Sequence, residues 1–78
     1  MPKLPVINGK ELYNLLIKYG CIHVRTTKSS HFVIENPYNK RRAPIPIHSG
    51  KDIGKGLLAK IIIKDLQIDI NDFLEFID

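Results

Sequence analysis

The chain predicts one α+β domain spanning residues 1–78, with the order α-β-β-β-α, an open three-stranded antiparallel sheet and a short C-terminal helix. Three observations carry that reading. Seventy-eight residues leave room for a single core and no more. Apolar residues recur at the helical period near both ends of the chain. Between them lie three short strand-like runs separated by polar turns.

The first helix starts at Asn8-Gly9-Lys10-Glu11. Asn8 is a capping residue, Glu11 is placed to reach back to it, and Ile7 and Leu12 have the spacing of a hydrophobic staple. Leu12, Leu15, Leu16 and Tyr19 follow the helical period, and Gly20 supplies a left-handed stop. Strands are expected over Cys21–Thr26, His31–Asn36 and Arg42–Ile47. The polar run Thr27-Lys28-Ser29-Ser30 separates the first two, and Asn36-Pro37-Tyr38-Asn39 turns the chain into the third. Pro44 and Pro46 cannot donate to a ladder, so the third strand belongs at an edge with its prolines turned outward.

After the loop His48-Ser49-Gly50-Lys51-Asp52, a second helix is expected over about Gly54–Leu66. Its apolar face would be Leu57, Leu58, Ile61, Ile62 and Leu66. Asp69 announces the last helix, with Ile68 and Phe73 as a second staple pair and Leu74, Phe76 and Ile77 following.

Composition narrows the function. Residues 1–64 hold all twelve basic side chains against three acids, a net +9, whereas residues 65–78 hold five acids and no base. A basic body suits a polyanion such as nucleic acid, although Lys and Arg also serve to solvate a small domain. The acidic tail either packs back on that body or helps dock a partner. The single cysteine, Cys21, can form neither an internal disulfide nor a multi-cysteine zinc site. The early prolines leave no apolar signal core, and no apolar run is long enough to span a bilayer, which points to the cytoplasm. Rossmann and P-loop enzymes are excluded by size.

Strand alternation then sorts the side chains. Taking Ile22 and Val24, Phe32 and Ile34, and Ala43, Ile45 and Ile47 as the faces the helices cover leaves an uncovered face. That face carries His23, Arg25, His31, Val33, Glu35, Arg42 and, if the third strand extends, His48. A polar solvent face is also the ordinary state of a one-layer sheet.

These residues resemble the HicA toxins, small ribonucleases of toxin–antitoxin systems. The likeness runs over roughly residues 4–77. It comprises Gly9-Lys10-Glu11-Leu12 through Tyr19-Gly20, then Val24-Arg25, then Ser29-Ser30-His31 where the family has Gly-Ser-His. Ile45-Pro46-Ile47-His48 stands for a Val-Pro-x-His run, Lys55-Gly56-Leu57-Leu58 for a Lys-Gly-Thr-Leu helix start, and Ile70-Asn71-Asp72-Phe73-Leu74 for the tail. The resemblance implies a fold like that of a double-stranded-RNA-binding domain and cleavage of mRNA. It also implies a HicB antitoxin as partner and His31 as the catalytic residue. Three positions depart from the pattern. Ser29 replaces the loop glycine and its easy positive φ, the Arg25-to-His31 interval is one residue longer, and Leu57 replaces a threonine.

The chemistry is consistent with that implication. RNA carries its own nucleophile, the ribose 2′-OH. The protein need only move protons, which an imidazole does near neutral pH, and steady the phosphorane charge. His31 is the candidate acid or base, with no cofactor and no metal. Arg25, Lys28, Ser30, Arg41, Arg42 and His48 are candidate RNA contacts, and His48 is also a possible second proton carrier. Gly54 and Gly56 either open the second helix toward a phosphate or are simply loop glycines. A zinc site from His23, His31 and His48 is disfavoured. Two other functions remain open at this level: a non-catalytic RNA-binding module of the same fold, and a subunit whose basic surface meets an acidic protein.

Overall fold

The first helix, α1 (Gly9–Tyr19), begins where the capping chemistry places it. In the computed structural model, which describes residues 4–47 and 50–77, the Glu11 N–H donates to Asn8 Oδ1 at 2.8 Å. The Asn8 N–H donates to Glu11 Oε1 at 3.2 Å, completing a reciprocal cap. Ile7 and Leu12 are both buried beneath it. At the other end Gly20 takes φ 126°, and the Cys21 N–H closes on the Leu16 carbonyl at 2.9 Å.

Three strands follow, β1 (Ile22–Thr26), β2 (His31–Asn36) and β3 (Arg41–Pro46), antiparallel and in sheet order β1-β2-β3. The third strand therefore lies one residue earlier than expected. Phe32, Ile34 and Asn36 pair with Ile45, Ala43 and Arg41 on the side facing the helices. His31, Val33 and Glu35 pair with Pro46, Pro44 and Arg42 on the open side. The Ile47 N–H bonds to the Ser30 carbonyl at 3.1 Å, so by alternation the backbone nitrogens of residues 44 and 46 point away from β2. Prolines there cost the sheet nothing.

The first strand departs from simple alternation. Ile22 pairs with Glu35 and His23 with Ile34, but Arg25 pairs with Val33 and Thr26 with Phe32. Val24 is an extra residue, a β-bulge. His23 is thereby turned to the helix side, not to the open face, and Ile22 lies on the open face, about half exposed. Strict alternation placed both on the wrong side, because a bulge shifts the parity of everything before it.

The second helix, α2 (Lys55–Ala59), runs straight on into π-helical turns over Lys60–Asp65. The Leu66 N–H donates to Ile61, five residues back, at 3.0 Å. In an α-helix four residues overshoot one turn. In π-helical turns they fall short of one, so the drift between Leu58 and Ile62 is undone by Leu66. All three stay buried, with Ile61. Leu57 does not join them; although one turn before Ile61, it is 43% exposed. The last helix, α3 (Ile70–Ile77), is capped by Asp69, whose Oδ1 accepts from the N–H groups of Asn71 and Asp72. Phe73 is fully buried, whereas Phe76 remains 42% exposed with its ring edge-on to Tyr19.

The core is one cluster between the sheet and the helices, built from Leu12, Leu16, Ile34, Ala43, Ile45, Leu58, Ile61, Ile62, Leu66 and Phe73 with smaller partners. Asn36 is the buried polar residue among those described, 5% exposed. Its Nδ2 donates to the Leu66 carbonyl at 3.0 Å, and its Oδ1 accepts the Tyr38 N–H at 3.1 Å. Asn39 Nδ2 also reaches the Leu66 carbonyl at 3.0 Å, and Arg41 Nε reaches that of Asp65 at 3.3 Å. The β2–β3 turn thus caps the end of the second helix with side-chain donors.

Two outcomes follow for stability. Asn36→Asp keeps the shape but sets an acceptor against the Leu66 carbonyl, and a buried group left unsatisfied costs about 1–3 kcal/mol. Urea unfolding should show that loss, and an unchanged midpoint would contradict the clasp. Burial pushes the Cys21 thiol from 9.0 up to about 11. The unfolded chain therefore releases its proton first as pH rises, and this contribution to stability is complete below about pH 9 and lost toward pH 11. Iodoacetamide at pH 8 should leave the native thiol unmodified and label it in urea.

Candidate active site on the open sheet face

His31 opens β2 on the uncovered side of the sheet, partly buried and opposite Pro46, outside the apolar core. Its backbone is held from both directions by one residue. The His31 N–H donates to Thr27 Oγ1 at 3.1 Å, and the Thr27 N–H donates to the His31 carbonyl at 2.9 Å. The Ser30 N–H bonds to the Thr27 carbonyl at 3.2 Å, which tightens the turn. Thr27 was not singled out from the sequence. The signal available was a threonine at a strand end, where its hydroxyl competes for nearby backbone groups.

In this turn Ser30 has φ 62°, the left-handed conformation, and Ser29 is not among the positive-φ residues. The expectation that Ser29 gives up a needed glycine is therefore corrected. The strained position is the next one, and Ser29 costs the turn no backbone energy of that kind.

Arg25 and Lys28 are both exposed and both lie near His31. Lys28 sits at the tip of the same turn. Arg25 is opposite Val33 on the open face, two residues or about 7 Å of strand from His31. The other candidates are arranged differently. Arg42 is on the open face but at the far end of β2, opposite Glu35, four residues or about 13 Å along the strand. Its Nε donates to Glu35 Oε1 at 2.9 Å, so much of its charge is answered within the protein. Arg41 lies on the helix side, with its Nε on the Asp65 carbonyl. The basic run Lys40-Arg41-Arg42 is thus at the opposite end of the sheet from His31. His48 lies outside the described residues.

His23 faces the other way. Its ring packs edge-on to Tyr13 and Phe32, with centroids 5.7 and 5.3 Å away. Tyr13 Oη is 3.1 Å from Nδ1, and Thr26 Oγ1 is 3.4 Å from Nε2. The sheet separates it from His31, so those two histidines do not share a site. Among the described residues no group of three or more His, Cys, Asp and Glu could hold a metal ion. No helix among them is long and apolar enough to cross a membrane.

The helix start at Gly9, the turn at His31 and the end of the second helix all lie within one matched segment. The family model for the HicA toxin of bacterial toxin–antitoxin systems matches residues 9–68. The chain belongs to the HicA toxin family. It is accordingly the toxin of a toxin–antitoxin pair, with an antitoxin as its cognate partner, in a family whose toxins are generally mRNA interferases. No curated protein and no solved structure matches the chain. The matched segment contains β1, β2 and β3 entire and stops before α3, so every acid of the tail except Asp65 lies beyond it.

The turn geometry is testable by itself. Left-handed backbone costs a residue with a Cβ about 1–2 kcal/mol, partly offset in serine by local hydrogen bonding and in glycine by chain entropy. Ser30→Gly should raise stability by up to about 1 kcal/mol in thermal or urea unfolding. Ser29→Gly should not. The reverse order would show that the positive φ had been assigned to the wrong serine.

Proposed function

We propose that the chain is a metal-independent endoribonuclease that cleaves mRNA with His31 as its acid–base group. The observation that carries this reading is the position of His31. It is held by the backbone at the mouth of a turn, on the one sheet face no helix covers, with Lys28 and Arg25 beside it.

In the proposed reaction the imidazole of His31 takes the proton from a ribose 2′-OH. The 2′-oxygen bonds to the adjacent phosphorus, and the bond from phosphorus to the 5′-oxygen breaks. The products are a 2′,3′-cyclic phosphate and a 5′-hydroxyl, the latter formed once the leaving oxygen takes up a proton. Lys28 and Arg25 supply positive charge where the phosphorane becomes most negative. The nucleophile belongs to the substrate, so the step requires no metal-activated water. Ser30 and His48 complete the set of candidate contacts, and Arg41 and Arg42 would meet RNA only along a stretch several nucleotides away.

The proposed partner is an antitoxin of the HicB type that covers this open face, within a fold of the double-stranded-RNA-binding-domain kind. The site of action is the cytoplasm, where mRNA is found.

The decisive experiment is cleavage of a defined RNA in EDTA by the wild-type protein and by His31→Ala. Loss of a positioned acid–base group costs about 100- to 10,000-fold, with affinity for RNA largely kept. A variant that cuts at the parental rate would remove His31 from the mechanism. Strong, salt-sensitive RNA binding with no cleavage by the wild type would instead favour a non-catalytic RNA-binding module.

A further inference from the structure

The hydrogen bonds around His23 are made on the side of the sheet away from His31, yet they bear on which residues join it. In a regular strand, residues three apart point to opposite faces. His23 and Thr26 are three apart, and both nonetheless face the helices, where Thr26 Oγ1 lies 3.4 Å from His23 Nε2. Such a contact is possible only because Val24 is bulged. The other ring nitrogen is 3.1 Å from the hydroxyl of Tyr13, on α1. Either neutral tautomer of the imidazole satisfies both hydroxyls, since each can donate or accept. The ring also packs edge-on against both Tyr13 and Phe32, which are themselves in contact with centroids 4.7 Å apart.

We infer that His23, clamped by Tyr13 and Thr26, is a positioning residue that locks the β1 bulge and so directs Arg25 onto the face of His31. Without the bulge, a strand anchored with His23 toward the helices would carry Arg25 to the helix side as well, two residues on. With it, Val24 and Arg25 together oppose Val33, and Arg25 joins the open face. The lock ties the guanidinium's placement to α1 through a tyrosine on the side of the sheet away from His31. This role rests on the proposed function in assigning Arg25 a part in RNA cleavage. The lock itself does not depend on it.

Tyr13→Phe removes one hydroxyl and keeps the ring. His23→Phe removes both hydrogen bonds and keeps an aromatic wedge. Each is compared with Arg25→Ala and with the double variants Tyr13→Phe/Arg25→Ala and His23→Phe/Arg25→Ala. Expected are losses of RNA cleavage of several-fold for Tyr13→Phe, which loosens the bulge, and of about tenfold or more for His23→Phe, which releases it and approaches the loss in Arg25→Ala. In the Arg25→Ala background both losses should vanish, because residues acting through one another do not add. Full additivity, with Arg25→Ala itself impaired, would overturn the positioning role and leave His23 a packing residue. If the wild-type protein cuts no RNA, or His31→Ala cuts normally, the proposed function fails, and the lock is then judged by cross-strand nuclear Overhauser contacts. Val24 and Arg25 should both face Val33 in the wild type and lose that pattern in His23→Phe. Retention of the pattern in folded His23→Phe would refute the lock.

Discussion

A slip of β2 by one residue would carry His31, Val33 and Glu35 into the core and turn Phe32, Ile34 and Asn36 out to solvent. The amide of Asn36 stands against that slip. It is buried, and it donates to the Leu66 carbonyl at the end of the second helix and accepts from its own turn. Moving it would leave a buried amide and a helix end unsatisfied together. At the other end of the strand, Thr27 grips the backbone of His31 through both its hydroxyl and its N–H. The strand is thus pinned at its first and last residues, and what lies between has one register. The placement of His31 on the uncovered face follows from the placement of Asn36 beneath the helices.

The legible parts of the sequence were those where a local pattern and the tertiary structure ask for the same thing. Asn8 with Glu11, Gly20, Asp69 and the paired prolines each satisfy a backbone need that can be read within a few residues. The bulge at Val24 leaves no such mark. Ile22 and Val24 read as an apolar pair, and only the contacts with Tyr13 and Phe32 mark His23 as lying on the helix side instead, where it remains exposed at the sheet edge. Leu57 shows the same difficulty on a helix. Its hydropathy places it in the stripe, but the stripe is set by a backbone that winds into π-helical turns three residues later. The left-handed residue of the β1–β2 turn was misplaced by one position because serine is equally unremarkable at both. For the candidate site, the sequence reading put His31 and Arg25 on the open face, where they lie, whereas Arg41, named with them as a candidate RNA contact, lies on the helix side, and Thr27 was overlooked.

The separation of charge along the chain has a counterpart in space. Among the described residues the ion pairs are Arg42 with Glu35 and Lys60 with Asp65. The acidic residues of the last helix form none of them. Asp69 is used as a helix cap, and Asp72 and Glu75 are exposed. Among the described residues, then, no carboxylate of the last helix pairs with Lys28 or Arg25, and a polyanion approaching the open face would not have to displace one of them to reach these cations.

The prolines of β3 have a consequence for how copies of this chain meet one another. At the outer rim of that strand, the backbone nitrogens of residues 44 and 46 would face an incoming strand, and neither carries a hydrogen. Next to them, α1 crowds the Pro46 carbonyl so closely that Gly9 has no space for a Cβ. The opposite rim, β1, is kinked at Val24. A neighbouring molecule seeking to extend the sheet finds donors missing on one border and a broken spacing on the other. Fibrillar growth through the folded state is thereby obstructed at both margins, even though three short strands left bare on one side would otherwise invite it.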